Sequence, residues 1–161
     1  MARRIDPRYF NNLIDANVLD RTGGPDDAAV DRILELADAG EILVLLPHSV
    51  KSEIEHPNTP LEIRHRAAHL IFTEPVNLTP GELAEHARVR AILQGNAQPG
   101  AHDRDAYHIV ESAKYGGYFI TNDKRILSKA ADASPQLAVV TPIEFLEAYD
   151  CSEAAFPRRR A

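Results

Sequence analysis

Polar and apolar residues change period several times along this chain, and the changes divide it into short strands and longer helices. The stretch Asn11-Asn12-Leu13-Ile14-Asp15-Ala16-Asn17-Val18-Leu19-Asp20 sets the frame. It reads as a short apolar strand that runs into an acid, an amide and then a turn, the pattern of a buried parallel strand leaving its sheet. Pro25 suits the first turn of a helix that carries Val30, Ile33, Leu34 and Ala37 at helical spacing and stops at Gly40. Ile42 to Leu46 is a continuous apolar run, which predicts a strand covered on both faces.

Pro47-His48 leads into a short helix, Ser49 to Glu55, ended by Pro57 and Pro60. Ile63, Ala67, Leu70 and Ile71 mark a third helix, and Pro75 to Leu78 is a weak strand or an extended link. Thr79-Pro80-Gly81-Glu82 has the form of a capping box for a helix reaching Leu93. After a glycine- and proline-bearing loop, Gln94 to Ala101, a helix is expected from Asp103 to Tyr115 with Ala106, Ile109, Val110 and Ala113 inward. Tyr118 to Thr121 is a strand, Asn122-Asp123 opens a short helix, Leu137 to Val140 is a strand, and Pro142 opens a helix over Ile143 to Tyr149. Strands alternating with helices predict an α/β fold: a three-layer α/β/α sandwich around a twisted, mainly parallel sheet of four to five strands.

At 161 residues the chain reads as one domain, 1–150, with 151–161 as a flexible tail. The net charge of −6 supplies no global positive field, which argues against an architectural DNA binder but not against a nuclease. The single Cys151 excludes an internal disulfide and a cysteine-rich zinc site. Met1-Ala2-Arg3-Arg4 is followed by Ile5-Asp6-Pro7-Arg8 rather than an apolar run, and no window is long enough to span a bilayer, so a cytoplasmic protein away from membranes is expected. Arg158, Arg159 and Arg160 could brush phosphates, though a solvated end is the plainer reading.

Four acids recur at places where a sheet edge would gather them. Asp15 follows the first strand, and strand carboxyl ends are where open α/β sheets bind ligands. Glu53 borders the apolar stripe of the short second helix, three residues beyond Val50. In Asp103-Arg104-Asp105, Asp103 suits the helix cap and Asp105 flanks the core stripe. Asp123 follows Tyr118-Phe119-Ile120-Thr121-Asn122 and repeats the pattern of Asp15. Each acid has an ordinary alternative as a cap, a turn residue or a solvated charge. Together they suggest an all-oxygen set for Mg²⁺ or Mn²⁺, because converging carboxylates are costly unless a divalent cation neutralises them. Such an ion equips a site for phosphodiester hydrolysis.

Four pieces resemble the PIN domain, a family of metal-dependent ribonucleases that includes VapC-type toxins. They are Leu13 to Leu19, Val50 to Ile54, Asp105 to Ala113 and Ile120 to Leu127, with Val140-Thr141-Pro142-Ile143-Glu144-Phe145-Leu146 similar to the family's ending. The resemblance implies that Asp15, Glu53, Asp105 and Asp123 form the catalytic, metal-binding quartet. It gives Asn17, Thr121 and Asn122 supporting roles. It further implies cleavage of single-stranded RNA, a homodimer, and a small antitoxin that blocks the site. Residues 58–93 carry no matching motif, and Arg125-Ile126 stands where the family's turn supplies a fifth acid.

RNA contacts would come from local cations: Lys51, Arg64, Arg66, Arg88, Arg90, Arg104, and above all Lys124 and Arg125 beside Asp123. The seven histidines show no zinc spacing, and His102 and His108, flanking Asp105, stay unassigned. An Asp-x-Asp phosphatase would need an acid where Asn17 stands, and a nucleotide binder would need a phosphate loop that Gly23-Gly24 does not make. The rival from another class is a catalytically inactive PIN-like scaffold that binds RNA or protein.

Overall fold

The computed structural model describes residues 5–157. Its centre is a five-stranded, all-parallel sheet in the order β3-β2-β1-β4-β5, built from β1 (Asn11–Ile14), β2 (Leu43–Leu46), β3 (Ile71–Phe72), β4 (Tyr118–Ile120) and β5 (Ala138–Val140). The helices are α1 (Pro25–Asp38), α2 (Lys51–Ile54), α3 (Leu61–Ala67), α4 (Pro80–Gln94), α5 (Asp103–Tyr115), α6 (Lys124–Ala133) and α7 (Pro142–Ala155). Parallel strands need crossovers, and the helices supply them on both faces, giving the three-layer α/β/α sandwich.

The period of two along each strand sorts the core into two halves. Ile14, Val44, Leu46, Tyr118 and Ile120 pack on the face under α1 and α7, together with Val30, Ile33 and Phe145. Leu13 and Phe119 point the other way, to Val89, Leu93, Ile109, Val110 and Ile126 of α4, α5 and α6. Leu13, Ile14, Phe119 and Ile120 are all completely buried, so truncating any of them to alanine costs about 2–5 kcal/mol. Register fixes the edge that matters: Ile14 lies beside Ile120, and the Asp15 N–H continues the ladder by donating to the Ile120 carbonyl at 2.9 Å.

Several expectations need correction. The third helix ends at Ala67, and Ile71–Phe72 is not helical but a two-residue strand paired with Leu45–Leu46, extended by Thr73 N donating to the Leu46 carbonyl. So short a strand leaves no periodic trace; the open side of β2 creates it by offering backbone partners. β2 is covered fully on one face only, since Leu43 is 47% exposed near the sheet edge. Pro75 to Leu78 forms an extended link.

The C-terminal helix runs to Ala155, five residues into the stretch read as tail. Arg8 holds it there. Its guanidinium bonds Asp6 at 2.7 Å and Glu153 at 2.6 Å and donates to the carbonyls of Phe156 and of Ser152, the latter also accepting the Phe156 N–H that closes the helix. Arg158, Arg159 and Arg160 lie outside the described residues. Among the described residues no helix is long and apolar enough to cross a membrane.

Candidate functional site

The carboxyl edge of β1 and β4 is knit by short polar side chains. Thr121, one residue past β4, donates from Oγ1 to Asp15 Oδ2 at 2.8 Å. Asn17 donates from Nδ2 to the same oxygen at 3.0 Å and accepts the Asn122 N–H on Oδ1. The Asp123 N–H donates to Thr121 Oγ1 at 3.1 Å. Neighbouring parallel strands in fixed register put these groups side by side, so one hydroxyl can serve two chain segments.

Asp15 is only 6% exposed, and burial pushes its carboxyl above the usual carboxylate range. The neighbouring His108, the Thr121 hydroxyl and the Ala16 N–H pull it down; the nearby Glu53 carboxylate pushes it up again. Glu53 itself rides on α2, which continues a 3-10 turn at His48–Val50 and is pinned by buried Ile54. Its Oε1 lies 3.2 Å from Arg104 Nη1 and 3.7 Å from His108 Nε2.

Asp105, half-buried in the first turn of α5, places Oδ2 3.1 Å from His102 Nδ1 and 3.9 Å from Arg125 Nη1. Arg125 also reaches His102 Nδ1 at 2.8 Å, tying the start of α6 to that of α5. Asp103 was expected to cap α5. Instead it is the helix's first residue, His102 holds the cap position without a capping bond, and the Asp103 carboxylate faces Arg90 at 3.6 Å. Both acids still sit where the helix dipole favours negative charge.

Asp123 takes the capping alternative: its Oδ1 accepts the N–H groups of Arg125 at 2.8 Å and Ile126 at 3.2 Å, starting α6. Lys124 and Arg125 are exposed on that first turn. A cleft of about 910 Å³ opens over the edge, with Asn17, Glu53, Arg104 and Asp105 on one side and Asn58-Thr59-Pro60 on the other. The structure thus brings Glu53 and Asp105 to one cleft, keeps Asp15 buried next to the lining residues Ala16 and Asn17 and within electrostatic reach of Glu53, and links Asp123 to Asp15 through Thr121.

No family model, curated protein or solved structure matches the chain.

Among the described residues no three His, Cys, Asp or Glu side chains lie close enough to form a ready-made cation site. The donor chemistry fits a divalent ion at Asp15 and Glu53 all the same. A desolvated carboxylate and a like-charged neighbour stand beside His108, whose buried Nε2 has no hydrogen-bond partner. Asp105 would join them from the same cleft.

Two polar residues gain a place here: Glu111, which no motif marks, and His108, unassigned in the sequence. Glu111, 1% exposed, accepts from Ser49 N at 3.1 Å, from the Ser49 hydroxyl, and from Thr73 Oγ1 at 3.4 Å. It locks α5 to the turn that carries Glu53. Its partners are distant in sequence, so no local signal marks it. His108 does have one: Asp105-x-x-His108 sets a carboxylate and an imidazole on one helix face.

Proposed function

We propose that the chain is a metal-dependent endoribonuclease of the PIN type, hydrolysing phosphodiester bonds of single-stranded RNA, and the toxin of a toxin–antitoxin pair with a small antitoxin as partner. One observation carries the reading: Glu53 from α2 and Asp105 from α5 line a single open cleft, and the buried carboxyl of Asp15, at the end of β1, stands near enough to Glu53 for the two charges to act on each other. Acids brought near such an edge from separate elements repel one another, a cost that Arg104 on Glu53 and Arg125 near Asp105 offset only in part and that a bound cation would offset further.

Asp15, Glu53 and Asp105 would hold Mg²⁺ or Mn²⁺, with Asp123 at the rim. When bound, the ion supplies an acidified water nucleophile and neutralises charge at phosphorus. The chain's own residues do the rest. Thr121 and Asn17 fix the Asp15 carboxylate through Oδ2. Arg104, Lys124 and Arg125, exposed at the cleft or beside it, supply cations for backbone phosphates. An open cleft rather than a closed pocket suits an extended polymer.

Cleavage of labelled single-stranded RNA in Mg²⁺, Mn²⁺ or EDTA tests the proposal, with Asp15→Asn and Glu53→Gln as variants. Cleavage should vanish in EDTA and fall by about a hundredfold or more in each folded variant. A wild-type protein that binds RNA but cuts none under either metal would point to the scaffold reading, which the capping role of Asp123 favours.

A further inference from the structure

We propose that His108 Nε2 is a nitrogen donor in the same cation site as Asp15 and Glu53, so that the site takes a divalent transition ion such as Mn²⁺ in preference to Mg²⁺. The proposal rests on the reading of Asp15 and Glu53 as a cation site. It adds a ligand of another kind to what the acids alone would make an all-oxygen set.

Three observations carry it. The His108 side chain is 3% exposed, and Nε2 has no hydrogen-bond partner among the described residues. Buried polar atoms are nearly always paired, so an imidazole nitrogen left bare in a packed corner is aimed at something the polypeptide does not provide. Its nearest acid oxygen, Glu53 Oε1, stands 3.7 Å away. That is too far for a hydrogen bond. It is close to the separation of two ligands sharing one small ion, since donors about 2.1 Å from a common centre lie roughly 3–3.5 Å apart.

The third observation is the lattice of elements around that nitrogen. His108 lies one turn after Asp105 on the same face of α5, and it stands near enough to Asp15 to act on that carboxyl electrostatically. The nitrogen on α5 and the carboxylate on α2 are thus the two donors already in reach of each other, and Asp15, at the end of β1, is the third that a bound ion would draw in. The Arg104 guanidinium, bonded to Glu53 at 3.2 Å, occupies part of the positive role an ion would take over. Imidazole suits divalent transition ions, whereas Mg²⁺ prefers oxygen and keeps its waters.

The test is electron spin echo spectroscopy of the full chain loaded with Mn²⁺ alone, alongside a binding titration. Wild type should show nitrogen hyperfine coupling that persists in His102→Gln and disappears in His108→Gln. The His108→Gln variant should also bind Mn²⁺ about tenfold or more weakly. Mn²⁺ bound to wild type without nitrogen coupling overturns the proposal and leaves the carboxylate site standing. Coupling lost in His102→Gln, or kept in His108→Gln, assigns the nitrogen elsewhere and overturns it too. If His108→Gln does not fold, His108→Asn takes its place, and nitrogen coupling kept in that variant or lost in His56→Gln overturns the proposal. No Mn²⁺ binding at all removes this proposal and the cation site together.

Discussion

Among the described residues two carboxylates are buried, Asp15 and Glu111, and their surroundings differ. Glu111 is enclosed by neutral donors from the Ser49 turn and from Thr73, whose own Oγ1 accepts the His48 N–H at 2.9 Å. Every contact belongs to the polypeptide and joins α5, the β3 exit and the α2 turn. Asp15 also receives two side-chain donors, yet it faces Glu53 and the partnerless nitrogen of His108. The first acid is satisfied by the fold. The second is bonded by the fold as well, but it shares its corner with a like charge. Burial alone therefore does not set the electrostatic cost of an acid; the sign and completeness of what surrounds it does.

The largest stability effect should come from removing the satisfied acid. Glu111→Ala leaves the Ser49 and Thr73 donors unpaired and opens a cavity, and should cost about 3 kcal/mol in urea denaturation. A cost under about 1 kcal/mol would mean that the bracket is not what clamps α5 to the α2 turn. Next is Arg8→Ala, which strips the end of α7 of its cation and should cost about 2–3 kcal/mol. Limited proteolysis should then cut first within the last turns of α7, upstream of Phe156; first cuts elsewhere would show that Arg8 does not hold this helix.

Asp15 should behave in the opposite sense. Its folded carboxyl titrates above its unfolded value, so its contribution is fully present below the unfolded range and is lost as pH rises through the folded value. At neutral pH the wild type bears the cost of an ionised, desolvated acid. Asp15→Asn should raise the melting temperature by a few degrees at pH 7, with the gain shrinking as pH falls into the carboxylate range. An asparagine variant less stable than wild type at pH 7 would show that the edge is not a site of stored electrostatic cost.

What the sequence reveals follows the same division. β1 with Asp15, the span of α5 and the Thr79–Glu82 capping box were legible because each depends on residues a few positions apart. β3 was not, since a two-residue strand is created by the free side of β2 rather than by its own pattern. The extra turns of α7 depend on Arg8, far away in the chain. Glu111 was illegible for the same reason. At the site, the acids at the strand ends could be read singly, but their partners could not: His102 and Arg125 on Asp105, and the α6 backbone on Asp123, are products of folding.

The smallest effect expected is the one that joins the two regions. Ser49 donates its N–H and hydroxyl to Glu111 and stands four residues before Glu53 in the helical segment that delivers it. Ser49→Ala keeps the backbone donor and removes the hydroxyl, so stability should fall by only about 1 kcal/mol. If the bracket also sets the position of Glu53, Mn²⁺ affinity measured by calorimetry should weaken severalfold in this variant, although Ser49 touches neither Asp15 nor Glu53 in any described contact. Unchanged affinity alongside the stability loss would show that Glu111 and the Asp15–Glu53 corner are energetically independent, and that the clamp on α5 serves the fold alone.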